Sequence, residues 1–343
     1  MLGSMKSGAE QTMAAVVHRL GDRLARAETD RIGALLELMS RHLERGRLAS
    51  AAAVGLEAIE ACPADPRRRC DALTAIARIL LDAEAYDFAA EVAARAIEDG
   101  VVAADPVREA RARELLGLLL IRRGLFQTAR QEFRIAGMRH RAVLDTLSMK
   151  RAARRLGDCY RLQGTEALAN RRPEHAEANF KQALRAYRAA LATGEYADED
   201  AAIAASAAEC EGRRGNYGLA RIQIDRALVL AARVQDPAVL VRIHLAECLL
   251  LRWSGDLRAA EWAGERACVA ARTLRDDTLA TALQALADVH DAQGRFERAS
   301  DLENQGRELL LERHRQLSQL RAELRALWRR GAAIPPACAV GAA

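Results

Sequence analysis

Between about residues 30 and 307 the chain repeats one arrangement of apolar and polar positions roughly every 40 residues. An apolar stripe with helical spacing leads into a turn residue, and a stripe of small residues follows it. The turn residues are Gly46, Glu84, Gly124, Gly164, Gly215, Gly255 and Gly294, at spacings of 38, 40, 40, 51, 40 and 39. Five residues after each turn except the fourth stands an alanine: Ala51, Ala89, Ala129, Ala220, Ala260 and Ala299. Seven further on come Ala58, Ala96, Ala136, Ala227, Ala267 and Gly306. A spacing of seven keeps both small residues on one helix face, where a neighbouring helix can approach closely. Ahead of the turns by eight and four positions lie Leu38 and His42, Ile76 and Leu80, Leu116 and Leu120, Leu156 and Tyr160, Leu286 and His290. The pattern predicts a first helix, a tight turn and a second helix, seven times over.

The flanks and one irregularity divide the chain further. Residues 1–7 read as tag or disordered, with Gly3-Ser4-Met5 a cloning scar ahead of a start at Met5. Ala14, Val17, Leu20 and Leu24 give residues 8–30 the spacing of an N-terminal capping helix. The repeats occupy 31–307, and the long fourth spacing places an insertion at 165–178, with Arg171-Arg172-Pro173 suited to a fresh helix start that lengthens the second helix of that repeat. Leu309, Leu310, Leu317, Leu320, Leu324 and Leu327 make 308–330 one long amphipathic helix, and 331–343 reads as a disordered tail. The fifth and sixth repeats carry Ala207 and Glu247 where leucine is expected, so their register is the least defined.

These motifs resemble the tetratricopeptide repeat (TPR) family. The third repeat carries Leu116-Gly117, Leu120, Gly124, Phe126, Ala129, Phe133 and Ala136 in the family's order. The first adds Leu35, Ala51, Ala58 and Pro63, the fourth Leu156-Gly157 and Tyr160 before resuming at Ala183, Tyr187 and Ala190, and the fifth Gly215-Asn216-Tyr217, Ala220 and Ala227. The period exceeds the family's usual one and is similar to the longer-helix variants of bacterial signalling regulators and kinesin light chains. The resemblance implies an all-α, right-handed α-solenoid of about seven helix-turn-helix repeats with capping helices at both ends.

Composition agrees with a helical chain: alanine, leucine, arginine and glutamate dominate its 343 residues, and only 4% are aromatic. Charge is mixed, with 52 basic against 47 acidic residues, which by itself implies no nucleic acid. Lys6, Lys150 and Lys181 are the only lysines, a bias that reads as that of a GC-rich bacterial genome. The best apolar run, Leu115 to Ile121, falls far short of the roughly 18 residues that span a bilayer. Seven cysteines without a C-x-x-C pair fit a reducing compartment, and the expected location is cytoplasmic.

The search for chemistry yields no catalytic set, no metal site and no cofactor, so a non-enzymatic protein is expected. Histidines 18, 42, 140, 175, 244, 290 and 314 form no metal-binding spacing, and His42, His244 and His290 occupy packing slots. Cys159, Cys210 and Cys248 read as small buried side chains, leaving Cys338 as the expected exposed thiol. Gly212-Arg213-Arg214-Gly215-Asn216-Tyr217-Gly218 lacks the Gly-Lys-Ser/Thr ending of a phosphate loop and reads as a helix-helix turn. Glu195, Asp198, Glu199 and Asp200 read as a solvated loop, and Trp253 and Trp262 bracket the sixth turn, where core packing is favoured over an aromatic anchor.

In a stack of helix pairs the first helices line the concave surface. Counting from the turns assigns Arg111, Arg122, Arg151, Arg154, Arg161 and Arg252 to that surface, with Glu114, Asp158 and Glu209 as the fewer acidic neighbours. Such a basic groove is similar to the carboxylate clamps of some TPR proteins, and arginine forks bind carboxylates bidentately. The expected function is a scaffold or adaptor that binds a partner protein or an acidic peptide segment there, in bacterial signalling or regulation. A second reading is a ligand- or peptide-sensing regulator of the peptide-pheromone-receptor kind, whose C-terminal helix transmits the signal or forms a homodimer. An RNA-binding helical repeat is disfavoured, because the groove lacks stacking aromatics. On this reading, reversing Arg154 and Arg161 to glutamate weakens an acidic partner without unfolding the chain.

Overall fold

The computed structural model describes residues 31–331, apart from 32–33, 36, 40, 43–46, 62–64, 235 and 275–276. The expected tag, N-terminal capping helix, Gly46 turn, and tail with Cys338 lie outside the described residues. After helical residues around Met39, the elements are α1 (Leu48–Ala61), α2 (Pro66–Asp82), α3 (Tyr86–Val102), α4 (Pro106–Arg122), α5 (Phe126–Ala142), α6 (Thr146–Ala169), α7 (Pro173–Leu191), α8 (Ala197–Arg213), α9 (Tyr217–Ala231), α10 (Pro237–Ser254), α11 (Leu257–Ala271), α12 (Thr278–Ala292) and α13 (Phe296–Gly331). No strand occurs among the described residues. The chain divides into two compact units, Met1–Ala112 with Leu320–Ala343, and Arg113–Gln319.

Among the described residues the helix pairs close in the same way. The turn residue takes a left-handed backbone, with φ of +57° at Glu84, +73° at Gly124, +79° at Gly215, +87° at Gly255 and +75° at Gly294. The next amide then reaches back to the carbonyl five residues earlier: Leu125 to Leu120 at 2.9 Å, Asp256 to Leu251 at 3.0 Å, Arg295 to His290 at 2.8 Å. This is the Schellman closure, which satisfies carbonyls that a helix end leaves open.

The fourth pair corrects the sequence reading. Gly164 lies inside α6, and the turn falls at Arg171, φ +56°, where the Arg172 amide donates to the Ala167 carbonyl at 2.8 Å. Counting from Arg171 puts the two small slots at Ala176 and Ala183, both buried. Extra residues therefore lengthen α6, the first helix, to 24 residues and α7 to 19, against 17 in α4 and α5. Gly164 serves packing: a Cβ there would stand 2.7 Å from the Phe180 ring. Gly117 and Gly157 make the same room for Phe133 and Tyr187.

In the first unit, Pro66 opens α2 and the Asp65 carboxylate accepts the amides of Arg67 and Arg68 at 3.0 and 3.2 Å, an N-cap of the ordinary kind. Ile76, Leu80, Ala89, Val92 and Ala96 are buried, whereas the equivalent Leu38 of the first pair is 41% exposed. Arg108 pairs with Asp71 at 2.9 Å, and Arg321 near the end of α13 approaches Glu84 at 3.6 Å.

In the second unit the small slots Ala129, Ala136, Ala220, Ala227, Ala260 and Ala267 are fully buried. One cluster joins α8, α9 and α10 through Ala205, Ile224, Ala227, Ile243 and Leu250. Another joins α10 to α11, α12 and α13 through Val241, Ala267, Leu286 and Leu302. No break separates the second helix of the seventh pair from the expected C-terminal helix, since α13 runs unbroken over 36 residues. Among the described residues no helix is long and apolar enough to cross a membrane.

Candidate functional site: a groove on the first helices of the second unit

The second unit contains a cavity of about 960 Å³. Its lining comes from the first helices of successive pairs: Ala205, Glu209 and Arg213 on α8, Val241, Arg242, Leu245 and Leu249 on α10, Thr281, Gln284 and Asp288 on α12. Arg122 of α4 and Arg161 of α6 close one end, and Leu302, Glu303, Arg307 and Leu310 of α13 form a wall. The volume lies near the upper end of what ligand sites enclose, and apolar side chains alternate with charged ones around it.

One end of the groove is built by a buried ionic network. Asp158 on α6 receives Arg154 at 3.1 Å and Arg242 at 3.4 Å, lies 3.8 Å from Arg161, and accepts the Tyr187 hydroxyl at 2.7 Å. Burial by itself would raise the Asp158 pKa, but Arg242, Arg154 and Arg161 outweigh it and hold the carboxyl well below the usual range. Burial and the Asp158 charge push the Tyr187 phenol far above its ordinary value, so it stays a donor. Arg161 also donates to Glu209 at 2.8 Å, and Glu209 accepts Arg213 at 2.9 Å. Burial opposes the Glu209 charge, yet these arginines keep it ionised. The Arg213 guanidinium sits 5.5 Å over the Trp253 ring, which packs against Gly212.

Beside this network the acidic run 195–200 departs from the expected solvated loop. Asp198, Glu199 and Asp200 stand in the first turn of α8, where a helix N-terminus favours negative charge. Glu199 accepts Arg154 at 2.6 Å and Arg151 at 3.0 Å. Asp200 is buried against the fully buried Lys150 ammonium, which donates also to the Gly194 carbonyl at 2.6 Å.

The six arginines assigned from sequence thus fall in different places. Arg122 and Arg161 line the cavity, and Arg151 and Arg154 are engaged by Glu199 at its margin. Arg252 pairs with Asp288 of α12, and Arg111 belongs to the first unit. Neutralisation is more extensive than the sequence suggested, because Glu199 and Asp288 are contributed by the next first helix, 36 to 48 residues away. Reversing Arg154 and Arg161 would set glutamates against Asp158, Glu199 and Glu209 in a buried site, so the expectation of an undisturbed fold is corrected. Arg122 and Arg307, by contrast, have no carboxylate partner among the described residues. Arg242, Arg307 and Gln284 were not singled out in the sequence, and Arg213 was read there only as part of a helix-helix turn.

The thiols and aromatics complete the picture. Burial pushes Cys159 up to about 11 and Cys248 up to about 12, which fits packing rather than nucleophilic chemistry. Trp253 is half-buried, but Trp262 is 57% exposed and so is no core residue.

No family model matches the sequence, and no curated protein matches it. By fold the chain is similar to aspartyl phosphate phosphatase F from Bacillus subtilis, with a TM-score of 0.61 at 14% identity over 86% of this chain and 74% of that one. It is similar to the Rap conjugation gene regulator of plasmid pLS20 in complex with the Phr* peptide, with a TM-score of 0.59 at 10% identity over 84% of this chain and 75% of that one. A tetratricopeptide repeat protein from Parabacteroides merdae gives 0.52 at 15% identity over 82% and 93%. The fold is therefore an all-α, TPR-like helical repeat of the kind seen in Rap regulators.

Proposed function

We propose that the chain is a non-enzymatic, cytoplasmic regulator or adaptor that takes a peptide, or an extended segment of a partner protein, in the groove of its second unit. The observation that carries this reading is the cavity of about 960 Å³ formed by α8, α10, α12 and α13, lined alternately by apolar and charged side chains. The solved fold with the Phr* peptide supports a peptide as occupant. Likeness to a protein named a phosphatase, at 14% identity, bears on fold alone.

The physical basis of binding follows from which charges are already satisfied. Asp158, Arg154, Arg161, Glu209 and Arg213 hold one another in place and act as a rigid wall, so ordering them costs nothing further when a ligand arrives. Arg122 and Arg307 remain to receive a carboxylate of the ligand, while Leu245, Leu249 and Leu310 receive its apolar side chains. The basic groove read from six arginines is thereby narrowed to a cationic anchor of two, Arg122 and Arg307.

A random peptide library selected on the full chain tests the reading. Enriched peptides are expected to combine an acidic group with apolar residues and to bind the Arg122→Glu/Arg307→Glu variant at least about tenfold more weakly. Equal enrichment on the variant would remove the groove from consideration.

A further inference from the structure

Away from the groove, the second helices of the fifth and sixth pairs carry a shared pattern on their exposed sides. Counting from Gly215 and Gly255, Ile222 and Trp262 stand at the seventh position, Arg226 and Arg266 at the eleventh, and Val229 and Val269 at the fourteenth. Steps of four and three keep all three on one face. Ile222, Val229, Trp262 and Val269 are exposed, Val229 by 76%, although the opposite faces of the same helices bury Ala220, Ala227, Ala260 and Ala267 completely. Large apolar side chains presented to solvent at the same slots of two second helices exceed what scattered surface residues account for.

A groove of about 590 Å³ runs beside the α11 stripe, floored by Pro237, Leu240 and His244 of α10 and walled by Trp262, Arg266 and Val269. α10 packs against both α9 and α11, so the two stripes flank the same helix. Trp262 is held in position despite its exposure. The Arg266 guanidinium lies 4.2 Å over its ring and is itself engaged by His244 and, at 3.4 Å, by Glu247. A braced, exposed tryptophan resembles the anchors that dominate interface energies.

Charge on this surface is one-sided. Arg226, Arg233, Arg258 and Arg272 are exposed and have no ion-pair partner among the described residues. Arg221 is balanced by Asp225 at 3.0 Å, and Glu265 is the exposed carboxylate between Trp262 and Val269. Arg258 on α11 precedes Trp262 by one turn, and Arg272, the residue that caps the C-terminus of that helix, follows Val269 by one turn.

We propose that the outer face of α9 and α11 is a second interaction surface, distinct from the groove, that takes an acidic amphipathic helix of a partner protein. Apolar residues seven apart on such a helix, about 10 Å along its axis, meet Trp262 and Val269. Carboxylates one turn beyond each reach Arg258 and Arg272, and those along its other flank face Arg226 and Arg233. Sequence complementarity of this kind fixes register as well as sign.

The test uses the full chain and a fluorescent 20-residue helical peptide with leucines at the matching spacing and glutamates around them, beside a version with lysine for glutamate. Saturable binding of the acidic peptide is expected, weakened about 30-fold or more by Trp262→Ala and about tenfold by Arg258→Glu/Arg272→Glu, with a shallower salt dependence in the latter. Thermal melting of both variants should match wild type, since these side chains are exposed. The Arg122→Glu/Arg307→Glu groove variant should bind the acidic peptide as wild type does, so the two readings fail separately. Absence of saturable binding up to about 1 mM, equal binding of the lysine peptide, or indifference to Trp262→Ala would overturn the proposal. A wild-type dimer in sedimentation that Trp262→Ala dissociates would assign the face to a second copy and overturn it as well.

Discussion

The close approach of α6 to α7 makes Gly157→Ala the sharpest probe of how the groove wall is built. A Cβ at position 157 would stand 2.6 Å from Cδ1 and 3.0 Å from Cζ of Tyr187, and closer still to Cε1. Tyr187 cannot retreat cheaply, because its ring is fully buried and its hydroxyl is tied to Asp158 at 2.7 Å. Overpacking of this severity costs about 3 kcal/mol. If the ring swings aside instead, a hydrogen bond to a charged group is lost, worth about 1.5 to 3 kcal/mol. Against this stands the helix preference for alanine over glycine, about 1 kcal/mol. The net loss is about 2 kcal/mol, or about 4 to 8 °C in melting temperature for a unit of this size. Circular dichroism melts of wild type and Gly157→Ala measure it, with Gly218→Ala, where nothing lies within 4 Å of the added Cβ, as the control expected to melt at or slightly above wild type. A Gly157→Ala protein that melts at or above wild type would refute the packing argument.

Two further outcomes follow from the ionic network. Because Asp158 is held below its ordinary pKa, its stabilisation is present above about pH 4 and lost as pH falls toward the folded value. Asp158→Asn should therefore lose about 3 kcal/mol at pH 7 and show a shallower decline than wild type below about pH 4, read from urea midpoints across that range. Lys150→Met strands the buried Asp200 carboxylate and should cost about 3 to 5 kcal/mol, whereas Lys150→Met/Asp200→Leu should recover most of it in the same assay.

Much of the repeat was legible in the sequence because its closure demands a left-handed residue, and glycine supplies one at Gly124, Gly215, Gly255 and Gly294. The same signal misled at the fourth pair. Gly164 occupies the expected spacing but is needed for the Phe180 ring, while Arg171 takes the left-handed turn without announcing it. The turns between pairs were hidden for that reason too, with Ala104 and Leu144 at φ of +50° and +58°. Counting along single helices named Arg122 and Arg161, which line the cavity, and the acidic neighbours Asp158 and Glu209, but not the other partners that come from the next pair. Glu199 and Asp288 reach Arg151, Arg154 and Arg252 from the following pair, a relation that only stacking creates. Trp262 escaped for the opposite reason: a large aromatic beside a turn reads as core, yet its slot faces outward on a second helix.

Site-specific photo-crosslinking decides whether a peptide lies in the groove of the second unit. A benzoylphenylalanine placed at Thr281, an exposed residue of the cavity lining, is to be compared with one at Val269 on the outer face, using a peptide selected on the full chain. A crosslinked adduct is expected at Thr281 and none at Val269. Adducts at Val269 alone, or at both positions equally, would contradict that placement.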